Sequence, residues 1–131
     1  MELEKVMKLK LELKRRLARL KELRLVSAAV SKPDGMPRAK TQASPVERIA
    51  EKIFEAQNEI RQLQEELTLT IERLTEEIFS RVKNPVAAQI LIARYVRGEP
   101  YKLIANHLNY SEAAIFYQHR IGRKEYYGGK R

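Results

Sequence analysis

Cysteine and tryptophan are absent from this chain of 131 residues, and glycine and proline number only five each. Without Cys there is no disulfide framework, no thiolate metal site and no cysteine nucleophile, so thiol and redox chemistry are excluded. Such a composition fits a reducing cytoplasm. No apolar run approaches the roughly 18 residues of a membrane span. The opening residues, Met1-Glu2-Leu3-Glu4-Lys5, lack the apolar core of a secretory signal. The expectation is therefore a soluble cytoplasmic protein with no membrane partner. Aromatic residues are few, at 7%, while charged residues reach 33%, a balance that suits long solvated helices rather than sheets. The length allows one ordinary domain, or a small domain plus an extended element, and rules out a large multidomain enzyme.

What is abundant is positive charge. Lys and Arg number 26 against 17 Asp and Glu, a formal net charge of +9, which favours a polyanionic partner. The charge is unevenly spread: residues 1–44 carry +7, residues 45–83 carry −3 and residues 84–131 carry +5. Two basic ends flank an acidic middle, as expected if the segments have different partners or pair with each other. The breakers fall at the same borders. Ser31 to Ala43 holds two Pro and one Gly with almost no apolar content, and reads as a connection.

On either side of it lie helical patterns. Val6, Leu9, Leu13, Leu17, Leu20 and Leu23 recur at steps of three and four, one stripe on a helix from about Glu2 to Ala29, about 42 Å long. Val46, Ile49, Ile53, Ala56, Ile60, Leu63 and Leu67 follow a heptad, after which a one-residue shift passes the stripe to Ile71, Leu74 and Ile78. The start of this second helix is strongly marked. Ser44 can cap the amide of Glu47 while Glu47 reaches back, and Pro45 takes the first helical position. The run continues to about Lys83, roughly 58 Å. Neither rod can bury its stripe alone. An intrachain antiparallel hairpin would lay the +7 helix along the −3 helix, whereas a homodimer would pair stripes between chains. The two arrangements can coexist, because the second helix outruns the first.

Beyond Lys83 the helices shorten. Asn84 and Pro85 make a second cap and first position, and Val86, Ile90, Leu91 and Tyr95 form a stripe that ends at Arg97-Gly98-Glu99-Pro100. A helix follows from Tyr101 to Leu108, then a tight turn at Asn109-Tyr110-Ser111, with Asn suited to a left-handed conformation and Ser111 to a cap. A last helix runs from Ser111 toward Glu125, and Tyr126 to Arg131 reads as a frayed basic tail. Two short helices joined by such a turn match the helix-turn-helix unit. Ile104, Ala105, Leu108, Tyr110, Ala114 and Ile115 should form its inner face, with Ala105 at the close crossing.

If the unit binds double-stranded DNA, its second helix enters the major groove and turns Ser111, Glu112, Ala113, Phe116, Tyr117 and Arg120 outward. Arg120 suits a guanine edge, Glu112 a cytosine amine, and Ala113 or Phe116 a thymine methyl. Arg123, Lys124, Lys130 and Arg131 continue along that side and suit phosphates, as does Lys102 at the start of the preceding helix. Competing readings are local. Phe116 and Tyr117 can instead fill a seam against the helix from Pro85 to Val96, and Glu112 can simply favour a helix N-terminus. The basic cluster Lys8, Lys10, Lys14, Arg15, Arg16, Arg19, Lys21 and Arg24 reads first as a solvated helix face. His107 and His119 read as two exposed histidines, without the carboxylate or Cys spacing of a metal site. No Gly-rich phosphate loop and no His-Ser-Asp or Cys-His set is present, and the Glu residues of the middle helix fall at solvent-facing positions. No enzyme and no cofactor are expected.

These residues carry a resemblance. Gln89-Ile90-Leu91-Ile92-Ala93-Arg94-Tyr95-Val96, followed by Tyr101-Lys102-Leu103-Ile104-Ala105-Asn106-His107-Leu108-Asn109-Tyr110-Ser111, resembles region 4 of sigma-70-type factors. Gly35-Met36-Pro37-Arg38 followed by Ser44-Pro45-Val46-Glu47-Arg48-Ile49-Ala50 is similar to small phage- and prophage-encoded late-transcription activators of the ArpU and RinA type. The resemblance implies an all-α architecture, a long antiparallel coiled-coil helical hairpin over residues 1–83 with its connection near 31–44. A small helix-turn-helix domain of sigma-70 region 4 type, with a short basic tail, follows over 84–131. It also implies a phage-encoded activator of late or packaging genes that binds promoter DNA beside host RNA polymerase, in the bacterial cytoplasm at the nucleoid. DNA-reading positions carry over to Ser111, Glu112, Phe116, Tyr117 and Arg120, while Asn109 departs from the usual turn Gly. Two other readings stay open: a non-catalytic interaction protein docking on RNA polymerase or another phage protein, and a DNA-packaging adaptor like the small terminase subunits.

Overall fold

The computed structural model describes residues 1–30 and 44–128. The expected connection with its Gly35-Met36-Pro37-Arg38 segment, and Lys130 and Arg131, lie outside the described residues. Among the described residues the chain is helical, with no strand. The helices are α1 (Lys5–Val30), α2 (Pro45–Arg81), α3 (Pro85–Leu91) running on into a π-helical turn at Ile92–Val96, α4 (Tyr101–Leu108) and α5 (Glu112–Tyr126).

The helix starts follow local chemistry. Glu47 N–H donates to Ser44 Oγ at 3.1 Å and Ser44 N–H donates to Glu47 Oε1 at 3.4 Å, the reciprocal capping box. Asn84 Oδ1 accepts from the amides of Val86 (2.9 Å) and Ala87 (3.3 Å), with Pro85 at the first position. Ser111 Oγ accepts from Ala114 N–H at 3.1 Å. Asn109 ends α4 in the left-handed region, φ 60°, and Gly98 does the same after the π turn, φ +73°.

Packing divides the chain into two compact units, Met1–Leu9 with Leu67–Arg131, and Lys10–Glu66. These borders fall inside α1 and α2, whereas the end of α2 at Arg81 and the start of α3 at Pro85 lie within the larger unit. In the smaller unit one seam joins Leu13, Leu20 and Leu23 of α1 to Ile53, Ala56 and Ile60 of α2. Arg16 donates to Glu59 across it. Leu17, expected in the stripe, is 46% exposed, together with Leu11, Leu25, Val26 and Phe54.

The larger unit has a closed core. Leu3 and Val6 pack with Leu74, Ile78, Val82, Ala87, Leu91, Tyr95 and Tyr126. A second cluster joins Ile90 and Ala93 to Ile104, Ala105 and Ile115, with Val86, Tyr101 and Leu108 at its margin. Here the α2 stripe broadens. Leu67 and Leu74 keep the heptad, Thr70 is buried at the strict position, and Ile71 and Ile78 add a neighbouring row. The wider stripe matches a helix that must face more than one partner element.

Two expectations are corrected here. Tyr126 is no frayed residue: it is fully buried, and its hydroxyl bonds Glu77 Oε1 at 2.8 Å and the Met1 carbonyl at 2.7 Å. Burial, then Glu77, pushes its pKa well above that of a free phenol, so the hydroxyl keeps its proton. Tyr110, expected on the inner face, is 44% exposed because the left-handed Asn109 swings the chain outward.

Candidate nucleic-acid interface

The turn between α4 and α5 sets the site. Asn109 adopts φ 60° and ψ 41°, a conformation open to Asn because its short polar side chain tolerates the left-handed region. Tyr110 N–H then returns to the Ala105 carbonyl at 3.1 Å, and Ser111 caps the next helix. Ile104, Ala105 and Ile115 close the angle between the two helices from the inside. Gly122 seats α5 on α3: a Cβ there would stand 3.2 Å from Leu91 and 3.3 Å from Ala87. With this side anchored, the opposite side of α5 is left to solvent.

Ala113, Phe116, Tyr117, Arg120 and Lys124 share that outer side, and all are exposed. Ser111, Glu112 and Lys102 are exposed as well. Ser111 Oγ already accepts from Ala114 N–H, which leaves its O–H donor and second lone pair for any role beyond the cap. Phe116 is not in a seam against α3; its ring meets Tyr101 at 4.8 Å and stays 43% exposed. An open groove of about 630 Å³ follows the face, lined by Phe116, His119, Arg120, Arg123, Lys124 and Tyr127. Aromatic rings and cations on one ridge can stack, donate to acceptor-rich edges and neutralise phosphate.

Arg123 behaves differently from its neighbours. Its Nη1 donates to Tyr95 Oη at 2.8 Å and to Glu4 Oε2 at 3.0 Å, so the guanidinium is held within the larger unit. Tyr95 Oη in turn lies 2.7 Å from His119 Nε2, and Tyr101 Oη lies 3.4 Å from the same nitrogen. Tyr95 Oη thus accepts from Arg123 and is also hydrogen-bonded to His119 Nε2. Burial lowers the His119 pKa, and the charges of Arg123 and Arg94 lower it further. Burial, the largest single effect, would raise Glu4, but the Arg123 hydrogen bond, a backbone hydrogen bond and the charges of Arg123 and Lys8 together outweigh it and hold the carboxyl below its ordinary range. Tyr95 is pushed up by its burial. His119 is thus half-buried and bonded, against the expectation of an exposed histidine, whereas His107 is exposed.

No known protein family, curated protein or solved structure matches this chain.

Among the described residues no group of three or more His, Asp or Glu is placed to hold a metal ion, and no helix is long and apolar enough to cross a membrane. Of the nine residues expected at the interface, Ala113, Phe116, Tyr117, Arg120 and Lys124 come together on one ridge; Ser111 and Glu112 sit at its N-terminal end, Lys102 lies on α4, and Arg123 lines the adjoining groove while bonded to Tyr95 and Glu4. Sequence reasoning missed the Tyr95, His119, Arg123 and Glu4 network. Its only local sign was the four-residue spacing of His119 and Arg123, which puts them on one helix side. Glu4 enters from 119 positions away.

Proposed function

We propose that this chain is a sequence-specific DNA-binding transcription regulator in which α4 and α5 act as a helix-turn-helix of sigma-70 region 4 type. The observation that carries the reading is the outer ridge of α5, exposed aromatic and basic side chains on a helix whose other side is locked by the left-handed Asn109 turn and by Gly122. In this reading the first turns of α5 enter the major groove, Arg120 reads a guanine edge, and Ala113 and Phe116 meet thymine methyls. Lys102 and Lys124 neutralise phosphates. Arg123, which lines the same groove, is braced by Tyr95 and Glu4 and keeps a part-exposed guanidinium for a phosphate. The Leu and Ile seam of α1 and α2 fits an antiparallel coiled-coil hairpin: Arg16 and Glu59, each fourteen positions from the helix ends at Val30 and Pro45, face each other in that register. The exposed Leu11, Leu17, Leu25 and Phe54 offer the surface for a homodimer or for RNA polymerase. A dimer places two half-sites about 34 Å apart or a multiple of that spacing. Action on phage late or packaging genes is the part that rests on the resemblance alone.

The test is selection of random DNA fragments by the purified protein near physiological salt, read by sequencing. An enriched motif is expected, and its symmetry reports the oligomer. Arg120→Ala should relax preference at one position, at a cost of about 1–3 kcal/mol, while Lys124→Ala lowers affinity evenly and reduces the salt slope by about one. Uniform recovery of fragments overturns the reading.

A further inference from the structure

A duplex read by the first turns of α5 leaves the far end of the groove beside that helix without an occupant. The groove runs from Phe116 to Tyr127, eleven positions and about 16 Å along the helix, with His119, Arg120, Arg123 and Lys124 between them. Its open surface is mainly carbon. A site for phosphate alone would be lined by donors, so this one fits a ligand that also brings apolar surface.

The fold sets the two end rings in place while leaving each half in water. Phe116 rests on the Tyr101 ring at 4.8 Å and is 43% exposed. Tyr127 ends α5; its hydroxyl accepts from the Leu3 amide at 3.0 Å, Arg123 Cζ lies 5.3 Å from its ring centroid, and it is 47% exposed. Rings ordered before binding lose little conformational freedom when a flat ligand stacks on them. The cations beside them are of two kinds. Arg123 is braced by Tyr95 and Glu4, whereas Arg120 and Lys124 make no hydrogen bond or ion pair with another described residue. Half-exposed rings, a carbon floor and cations in one row match flat apolar bodies linked by anions. Paired bases offer only their edges in the grooves of a duplex, whereas unpaired bases offer their faces.

We propose that this groove binds a short unpaired stretch of DNA, its bases stacked on Phe116 and Tyr127 and its phosphates on Arg123 and Lys124. The proposal rests on the part of the DNA-binding reading in which α5 faces DNA, and Phe116 then stands at the junction between the duplex and the unpaired stretch.

The probe is a thymidylate oligomer of about eight nucleotides, which does not pair with itself and falls within the site sizes of single-strand binders. Fluorescence anisotropy of the dye-labelled oligomer with the full chain gives the affinity, and proton spectra of the unlabelled oligomer report stacking. Its thymine methyl and H6 signals should move upfield on binding, the ring-current mark of a base over an aromatic face. Tyr127→Leu should weaken binding about tenfold, and Tyr127→Phe, which keeps the ring, should retain most of it. Phe116→Leu should also cost about tenfold, and it serves as the test variant should Tyr127→Leu not fold. Lys124→Ala should keep the upfield shifts and reduce the salt slope by about 0.7. A selected duplex motif with no binding of the oligomer sinks the proposal and leaves the duplex reading standing. Stacked binding of the oligomer with no selected duplex motif supports the proposal and removes the duplex reading. Binding without upfield shifts, equal losses in Tyr127→Leu and Tyr127→Phe, or tighter binding of a uridylate oligomer of the same length each overturn the assignment to unpaired DNA.

Discussion

The two units are built from the same two long helices and hold them in different ways. In Lys10–Glu66 the stripe is one side chain deep, and the best buried members, Leu20, Ala56 and Ile60, keep 3–8% exposure. In the larger unit Leu3, Val6, Leu74, Ile78, Ile90, Leu91, Ile104, Ile115 and Tyr126 are all below 2%. Heptad patterning suffices to pair two helices, but two helices leave most of each circumference wet. Complete burial needs a third direction, which α3, the π turn, α4 and α5 provide. The lesson is that an apolar stripe specifies a seam, whereas a core needs elements crossing from more than one side.

The sharpest way to break that contrast is to cut one buried isoleucine in each unit. Ile115→Ala, in a site closed on all sides, should cost about 2–5 kcal/mol, and Ile60→Ala, beside a seam that can relax and hydrate, should fall at or below the low end of that range. Urea unfolding measures both, and hydrogen exchange shows whether each loss stays within its own unit. Equal costs would mean that the seam is as closed as the core, through contacts between copies for instance.

Gly122→Val tests the tightest crossing of the larger unit. A Cβ added there would already stand 3.2 Å from Leu91. Two further methyls force the crossing apart and should cost about 1–3 kcal/mol, read as a lowered melting temperature. A variant of unchanged stability would show that α3 and α5 slide freely, and the rigid placing of the α5 ridge would be lost with it.

Titration probes the larger unit, where the buried network lies. His119, faced by Tyr95, Tyr101, Arg94, Arg123 and through Arg123 by Glu4, has its pKa lowered by burial in the folded chain. The unfolded chain therefore takes up a proton first, and stability should fall as pH drops through about 6.5, the ordinary imidazole value. Glu4 and Glu77 are held below their ordinary 4.5 and weaken the fold only at lower pH. In His119→Gln the loss between pH 7 and pH 5 should disappear, as followed by thermal melts; a slope that persists assigns the effect to other groups.

The smallest effect is expected at the Arg16–Glu59 pair across the seam. Its members are exposed, and solvent and salt screen such a pair. Arg16→Gln should leave the melting temperature nearly unchanged at physiological salt, and a large drop would mark this pair as part of a buried interface.

Much of this molecule was legible residue by residue. Ser44 with Glu47, Asn84 with Pro85, Gly98, Asn109 and Ser111 each act on backbone groups within a few positions, so helix borders follow from neighbours alone. The outward side of α5 was legible for the same reason, since helical spacing puts Phe116, Tyr117, Arg120 and Lys124 together. Leu17 and Tyr110 show the limit: both fit an apolar pattern, but whether a patterned residue is covered depends on what stands opposite. The composition and the periodicities thus determined an all-helical chain, its breaks and the sides its helices offer. Only the tertiary structure decided that Tyr126 is core, that Arg123 serves Glu4 and Tyr95, and that one oxygen of Glu99 is buried without a hydrogen-bond partner. Those outcomes need groups brought together by packing from distant parts of the chain, and nothing in the local spacing of either partner encodes the meeting.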